Sequence, residues 1–284
     1  MKLMRIGDPG KEKPAILHDD GTWRDLSGVV DDIAGPALTN AGLWRIGSAD
    51  PLSLPVLDPA SRIGPCVGSV GKFLCIGLNY ADHAAESGMP VPEEPILFLK
   101  ATSAICGPND PLILPRGSTS TDWEVELGVV IGTQARYIDP SEAMDHIAGY
   151  CLVNDVSERA FQLERGGQWV KGKSADSFGP IGPWMVTRDE ISDPQDLPMW
   201  LEVDGHRYQD GSTRTMVFGV AYLVSYLSQF MTLHPGDIIT TGTPPGVGMG
   251  QKPDPVYLKP GQELRLGIRG LGEQRTVTVP WDAS

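Results

Sequence analysis

The sequence predicts an α+β fold rich in strands, with a small N-terminal α+β unit over residues 1–66 and a larger unit over 67–284. Three observations carry that prediction. Gly (34) and Pro (25) are abundant in the 284 residues and spread along them, which favours turns and short strands over long helices. Apolar runs are short, and many alternate with polar residues as half-buried strands do. The strongest helical pattern is one segment, 218–231, where Val220, Leu223, Val224 and Leu227 form an apolar stripe that reads as core.

Charge and composition narrow the function classes. Net charge is −13 and the sequence pI is near 4.7, so nucleic acid and anionic membrane surfaces are disfavoured as partners. A small anionic ligand is compatible, given a local metal or a few aimed Lys and Arg side chains. No run of eighteen apolar residues occurs, and the first residues lack an apolar core of signal-peptide length. The four cysteines, Cys66, Cys75, Cys106 and Cys151, form no C-x-x-C pair and read as reduced, buried small hydrophobes. The expectation is a soluble cytoplasmic protein.

Taken in order, residues 1–60 alternate short apolar pieces with Gly, Pro and Asp. Asp19-Asp20-Gly21-Thr22 has hairpin chemistry, with strand patterns on both sides. Segments 29–33 and 41–46 read as helical turns, and 59–71 as a boundary. Residues 73–78 form a strand pattern that ends at Asn79, a fair helix N-cap. On the helix that follows, His83 and Glu86 are three apart and share a face. A Glu beside a His raises imidazole basicity and fixes its tautomer, as water activation requires; a surface pair on a short helix has the same spacing. Residues 95–100 form another strand, ending in Lys100, which could face the site, although a lysine at a strand end is usually solvated.

Thr121-Asp122-Trp123-Glu124-Val125-Glu126-Leu127-Gly128 then reads as a strand continuing through Ile131. Alternation puts Trp123, Val125 and Leu127 on one face and Glu124 and Glu126 on the other, with their Cα atoms about 7 Å apart. Two carboxylates in one row invite a divalent cation; an antiparallel strand with a solvated acidic face gives the same pattern. Segment 141–146 reads as a short helix with a surface His146. The strand 150–156 carries Asp155 at its polar end, either as a third oxygen ligand or as the cap of a helix from Ser157. Residues 162–169 look loop-like, and Lys173 sits in a segment rich in Gly, Ser and Pro. Asp204-Gly205 turns a hairpin over 201–209. Residues 238–250 form a strand running into a glycine-rich loop that is neither a Walker A loop nor a dinucleotide-binding turn. Such a loop can still offer backbone N–H groups to an anion. Alternating strands over 263–266 and 275–279 close the chain.

Five of these pieces together resemble the fumarylacetoacetate hydrolase family. They are Tyr80-x-x-His83-x-x-Glu86, Trp123-Glu124-Val125-Glu126-Leu127, Asn154-Asp155-Val156-Ser157, Lys173-x-x-Asp176-x-Phe178-x-Pro180-x-Gly182-Pro183, and Thr241-Gly242-Thr243-Pro244-x-Gly246-Val247-Gly248. They occur in the family's order over about residues 70–284, and a chance match of five ordered motifs is remote. The resemblance implies a mixed β-roll catalytic domain after the small N-terminal domain, assembled as a homodimer. It implies a Mg²⁺, or Mn²⁺ or Ca²⁺, held by Glu124, Glu126 and Asp155. It further implies catalytic roles for His83, Glu86 and Lys173, and contacts from Tyr80, Arg159, Gln162 and Thr243 to a small anionic keto-acid substrate.

Among its subgroups the chain looks most like bacterial hydrolases of 2,4-diketo-3-deoxy sugar acids, of the L-rhamnonate or L-fuconate kind, which are often labelled ureidoglycolate lyase. These cleave a C–C bond to give pyruvate and a hydroxy acid such as lactate. The same scaffold supports oxaloacetate decarboxylation and hydroxymuconate-type isomerisation, and a silent binding relative is the alternative from another class. One departure is Ala175 and Ser177 around Asp176, small residues expected to widen the pocket.

Overall fold

The computed structural model describes residues 1–86 and 90–282. Its strands are β1 (Lys2–Ile6), β2 (Lys13–Leu17), β3 (Trp23–Asp25), β4 (Phe73–Gly77), β5 (Ile96–Lys100), β6 (Ile105–Cys106), β7 (Leu112–Leu114), β8 (Thr121–Asp122), β9 (Val125–Ile131), β10 (Ile147–Asn154), β11 (Ser157–Glu158), β12 (Gly179–Pro180), β13 (Met185–Thr187), β14 (Pro198–Val203), β15 (His206–Ser212), β16 (Ile238–Thr240), β17 (Glu263–Ile268) and β18 (Gly272–Pro280). Its α-helices are short: α1 (Asn40–Gly47), α2 (Ala81–Glu86), α3 (Arg159–Leu163), α4 (Val170–Lys173) and α5 (Val220–Ser228). The expected α+β, strand-rich architecture is what forms.

Among the described residues the main sheet has nine strands, ordered β3-β2-β1-β13-β10-β9-β16-β4-β5. A second sheet has five, ordered β15-β14-β17-β18-β7. Both expected hairpins form, β2 against β3 and β14 against β15. The N-terminal 1–66 segment shares this architecture. Its β1 pairs with β13, and Leu26, Ile33, Leu38 and Ile46 join one apolar cluster with Val130, Cys151, Val153 and Ile238.

The two faces of the main sheet explain where the site lies. Val125, Leu127 and Val129 of β9, with Tyr150 and Leu152 of β10, pack toward α5 and the five-stranded sheet. Val130, Cys151 and Val153 pack toward the N-terminal segment on the other face. Period-2 alternation puts Glu126, and then Glu124 and Asp155 just past the strand ends, on that second face. Every residue of β9 and β10 is buried, so the solvated acidic face that the sequence left open does not exist. Each fully buried Leu or Val here contributes roughly 1.5–3 kcal/mol, and that packing holds the central strands while polar groups gather at their ends.

Three local expectations are corrected. Asn79 does not cap α2. Its side chain donates to the carbonyls of Phe218 (3.0 Å) and Thr241 (2.8 Å) and accepts from Phe218 N–H (2.8 Å), so it joins three segments. Asp155 does not cap a helix, because Glu158 is the N-cap of α3 and accepts from Phe161 N–H at 2.7 Å. Lys173 ends the one-turn helix α4 instead of lying in a loop. The cysteines are unpaired, three buried and Cys106 half-buried. No helix among the described residues is long and apolar enough to cross a membrane.

Candidate active site

Antiparallel pairing of β9 with β10 sets Glu126 opposite Val153 and Val125 opposite Asn154. The chain then holds its two acidic ends together: Asp155 N–H donates to the Glu124 carbonyl at 2.9 Å, and Glu124 N–H donates to Asn154 Oδ1 at 3.1 Å. As a result Glu124, Glu126 and Asp155, all buried, bring carboxylate oxygens within 4.8 Å of one another.

Three buried cations surround this cluster. Lys173 Nζ reaches Glu124 Oε2 at 2.6 Å and Asp155 Oδ2 at 2.9 Å. Lys100 Nζ reaches Asp155 Oδ1 at 2.5 Å and the Val156 carbonyl at 3.0 Å. Arg159 donates through Nη2 to Glu124 Oε1 at 2.7 Å and through Nε to Asp122 Oδ2 at 2.8 Å. Burial alone would raise the Glu124 carboxyl, but Lys173 and Arg159 hold it down to about 2. Burial, then the charges of Asp155 and Glu124, push the Glu126 carboxyl well above the usual range. Burial works against the Lys173 ammonium, yet Asp155 and Glu124 hold its pKa above the ordinary value. All three converging donors are hard oxygens, and two of them repel the third. That set fits a hard divalent cation, which would relieve the repulsion.

A second pair approaches the same cavity from α2. His83 Nδ1 lies 3.2 Å from Glu86 Oε2, and Gly246 N–H donates to both Glu86 oxygens at 3.0 and 3.1 Å. Gly246 is required where it stands: φ is +106°, and a Cβ there would lie 1.9 Å from the Tyr208 carbonyl. With Glu86 oriented by the backbone, Nδ1 carries the proton shared with the carboxylate and Nε2 is left as a base. The chain turns into α2 through Leu78, a left-handed residue with φ of +52° that lines the cavity.

The cavity encloses about 200 Å³, below the roughly 300–1,000 Å³ of pockets for drug-sized ligands. His83, Glu124, Glu126, Lys173 and Thr243 line it, with Arg159 and Gln162 from α3. Other sequence-derived roles change in the structure. Arg159 and Gln162 line the cavity: Arg159 grips two carboxylates and donates to Gln162 Oε1 at 3.0 Å, which leaves the Gln162 amide N–H groups for a ligand. Thr243 gives its single hydroxyl proton to the Val125 carbonyl at 2.9 Å and accepts from Gln209 Nε2 at 2.8 Å. Tyr80 is fully buried in the core, its hydroxyl 3.5 Å from Met199 Sδ, and is absent from the lining. Ala175 and Ser177 are absent as well, so they do not widen the pocket; Ser177 Oγ accepts from Ile113 N–H.

Two further residues belong to the cluster. Lys100, for which solvent was the ordinary expectation, is a buried partner of Asp155. Asp122 accepts from Trp123, Gly248 and Met249 N–H as well as from Arg159, and so ties the glycine-rich loop to the carboxylate cluster. A lysine closing an apolar strand was the available signal for Lys100, while Asp122 had none beyond its place next to the acidic strand.

Comparison with known proteins adds three kinds of match. Residues 72–279 match the family model described as fumarylacetoacetate (FAA) hydrolase C-terminal. A Burkholderia multivorans protein named "Putative hydrolase" is 66% identical over 278 residues, 98% of this chain and 99% of that one. The solved fumarylacetoacetate hydrolase from psychrophilic Exiguobacterium antarcticum superposes with a TM-score of 0.88 at 34% identity, covering 99% of both chains. A 2-hydroxyhepta-2,4-diene-1,7-dioate isomerase from Mycobacterium marinum gives 0.77 at 32% identity, covering 99% of this chain and 98% of that one. Maleylpyruvate hydrolase from Sphingobium sp. SYK-6, solved with manganese(II) and pyruvate, gives 0.80 at 28% identity, covering 99% of both.

Proposed function

The chain belongs to the fumarylacetoacetate hydrolase family, and on that premise we propose that it is a metal-dependent hydrolase of 2,4-diketo acids, cleaving a C–C bond to give pyruvate and a second carboxylic acid. The observation that carries this reading is the convergence of two sets of groups on one small cavity. Glu124 and Glu126, clustered with Asp155, line it together with His83, which Glu86 and the backbone orient.

Glu124, Glu126 and Asp155 would hold Mg²⁺, Mn²⁺ or Ca²⁺, which supplies Lewis-acid polarisation of the substrate's 2-oxo oxygen when bound. His83, oriented by Glu86, takes a proton from water through Nε2. The resulting hydroxide adds to the 4-carbonyl carbon. Collapse of the adduct breaks the C3–C4 bond, and its electron pair becomes the enolate of pyruvate. The Lys173 ammonium, buried and held protonated, stabilises negative charge on that enolate. A proton delivered to C3, equal in number to the one His83 removed, completes pyruvate. The new carboxylate carries one oxygen from water.

The finer expectation, a 2,4-diketo-3-deoxy sugar acid yielding lactate as co-product, enters the same assay as one substrate among acylpyruvates. A keto–enol isomerase is the second reading, favoured by the isomerase at 32% identity. The test is to incubate the Mg²⁺-loaded protein with acylpyruvates, a diketo sugar acid, oxaloacetate and a hydroxymuconate in ¹⁸O-water. Pyruvate with a singly labelled co-product acid, lost on chelation, is expected. CO₂ from oxaloacetate alone, or isomerisation without cleavage, overturns the hydrolase reading. His83→Ala should lower turnover by about 10²–10⁴-fold with metal affinity kept. Collapse of metal binding in that variant would contradict the division of labour.

A further inference from the structure

Lys173, Glu124, Arg159 and Gln162 form one hydrogen-bonded chain in the cavity, and a wall of different chemistry stands beside it. Phe98 of β5 and Trp169, which precedes α4, meet edge to face with centroids 5.3 Å apart. Lys173 Nζ lies 5.0 Å from the Phe98 ring centre, so this wall begins where the ammonium that grips Glu124 and Asp155 ends. Trp169 reaches the wall because β4 carries no side chain at Gly77: a Cβ there would stand 2.6 Å from Trp169 Cζ3 and 3.1 Å from Cη2. Ile76 and Leu78 flank Gly77 in the lining, and Leu163 and Met249 complete its apolar part. The only polar side-chain group these residues offer is the Trp169 indole N–H.

We propose that this wall receives the acyl arm of the substrate, that the arm is apolar, and that Gly77 is a specificity-determining residue because its missing side chain seats Trp169. The inference rests on the diketo-acid reading and names the substrate class within it. The arm of a sugar acid that yields lactate carries one hydroxyl and longer sugar-acid arms carry more, and each one buried unpaired against aromatic and aliphatic surface costs binding. An arm ending in a carboxylate needs a cation of its own, and among the described lining residues the cations are Arg159, bound to Asp122 and Glu124, and Lys173, which the enolate uses. An alkyl or phenyl arm gains from burial instead, by about fourfold in affinity per methylene until the space is filled.

The experiment compares kcat/KM of the Mg²⁺-loaded protein for acylpyruvates with acetyl, butanoyl, hexanoyl, benzoyl, carboxyacryloyl and trihydroxybutanoyl arms. Calorimetry follows binding of the matching 2-oxo acids, which lack the scissile carbonyl. Hexanoyl or benzoyl should exceed trihydroxybutanoyl and carboxyacryloyl by at least about tenfold in both measurements. Gly77→Ala and Trp169→Ala should each shrink the hexanoyl-to-acetyl ratio, and Trp169→Phe should restore part of it. Cleavage that favours the hydroxylated or acidic arm overturns the inference and leaves the hydrolase reading intact. No cleavage, with 2-oxo acids still ranked apolar over polar, sinks the hydrolase reading and leaves the wall's role standing. Equal binding of all arms overturns the wall's role whatever the reaction.

Discussion

Two glutamates two residues apart are driven in opposite directions. Burial opposes the charge of both, but Lys173 and Arg159 reach Glu124, while Glu126 faces Asp155 and Glu124. The signs of their stability contributions follow. Glu124 is depressed from 4.5 to about 2, so its contribution is complete above its unfolded pKa and is lost as pH falls toward about 2. Glu126 is raised above 4.5, so the folded chain binds the extra proton, and stability declines as pH rises from about 4.5 through the raised value. Chelator-treated protein should therefore lose Tm, as pH rises above about 4.5, more steeply than its Glu126→Gln variant. A divalent ion at a hundredfold its Kd should restore about 2.7 kcal/mol, visible in thermal melts. Identical pH slopes for the two proteins would remove the Glu126 assignment. At this scale the sequence was readable where spacing on one element made the pair, as with Glu124 and Glu126 or His83 and Glu86. It was not readable for Lys100, whose partner Asp155 lies 55 residues away and is brought near only by the sheet.

At the scale of elements, Asn79 shows why a correct residue received the wrong role. A polar residue between a strand and a helix is ordinarily a cap. Here the amide is spent on Phe218 and Thr241, fastening the start of α2 to the approach to α5 and to the glycine-rich loop. Asn79→Ala leaves those buried backbone groups unpaired and should cost about 2–4 kcal/mol in urea unfolding, with Asn79→Asp recovering only the bond from Phe218 N–H. A loss under about 0.5 kcal/mol would mean the three bonds are replaced by water. Helix α4 escaped the sequence reading for a different reason. With four residues, it is too short for an apolar period to register.

For the whole molecule, strand content and hairpins were legible because alternation and turn chemistry are local. The strand order was not, since it joins segments distant in sequence, and the family resemblance implied a mixed β-roll without an order. The N-terminal strands illustrate the limit: their pattern gave a small α+β lead-in, while their pairing with β13 depends on residues 185–187. The place of β16 in that order has a further consequence. It is the only strand between β9, beside the carboxylates, and β4, which leads into the His83–Glu86 helix. During synthesis both halves of the site leave the ribosome well before residues 238–240, the strand that unites them. Nascent chains ending near residue 230 should then stay protease-sensitive through β4 and β5, and resistance should appear only once β16 and the loop after it have emerged. Resistance at the shorter length would show that the halves meet without it. Until that strand arrives the chain holds its three carboxylates, its His–Glu pair and Lys173 in two pieces.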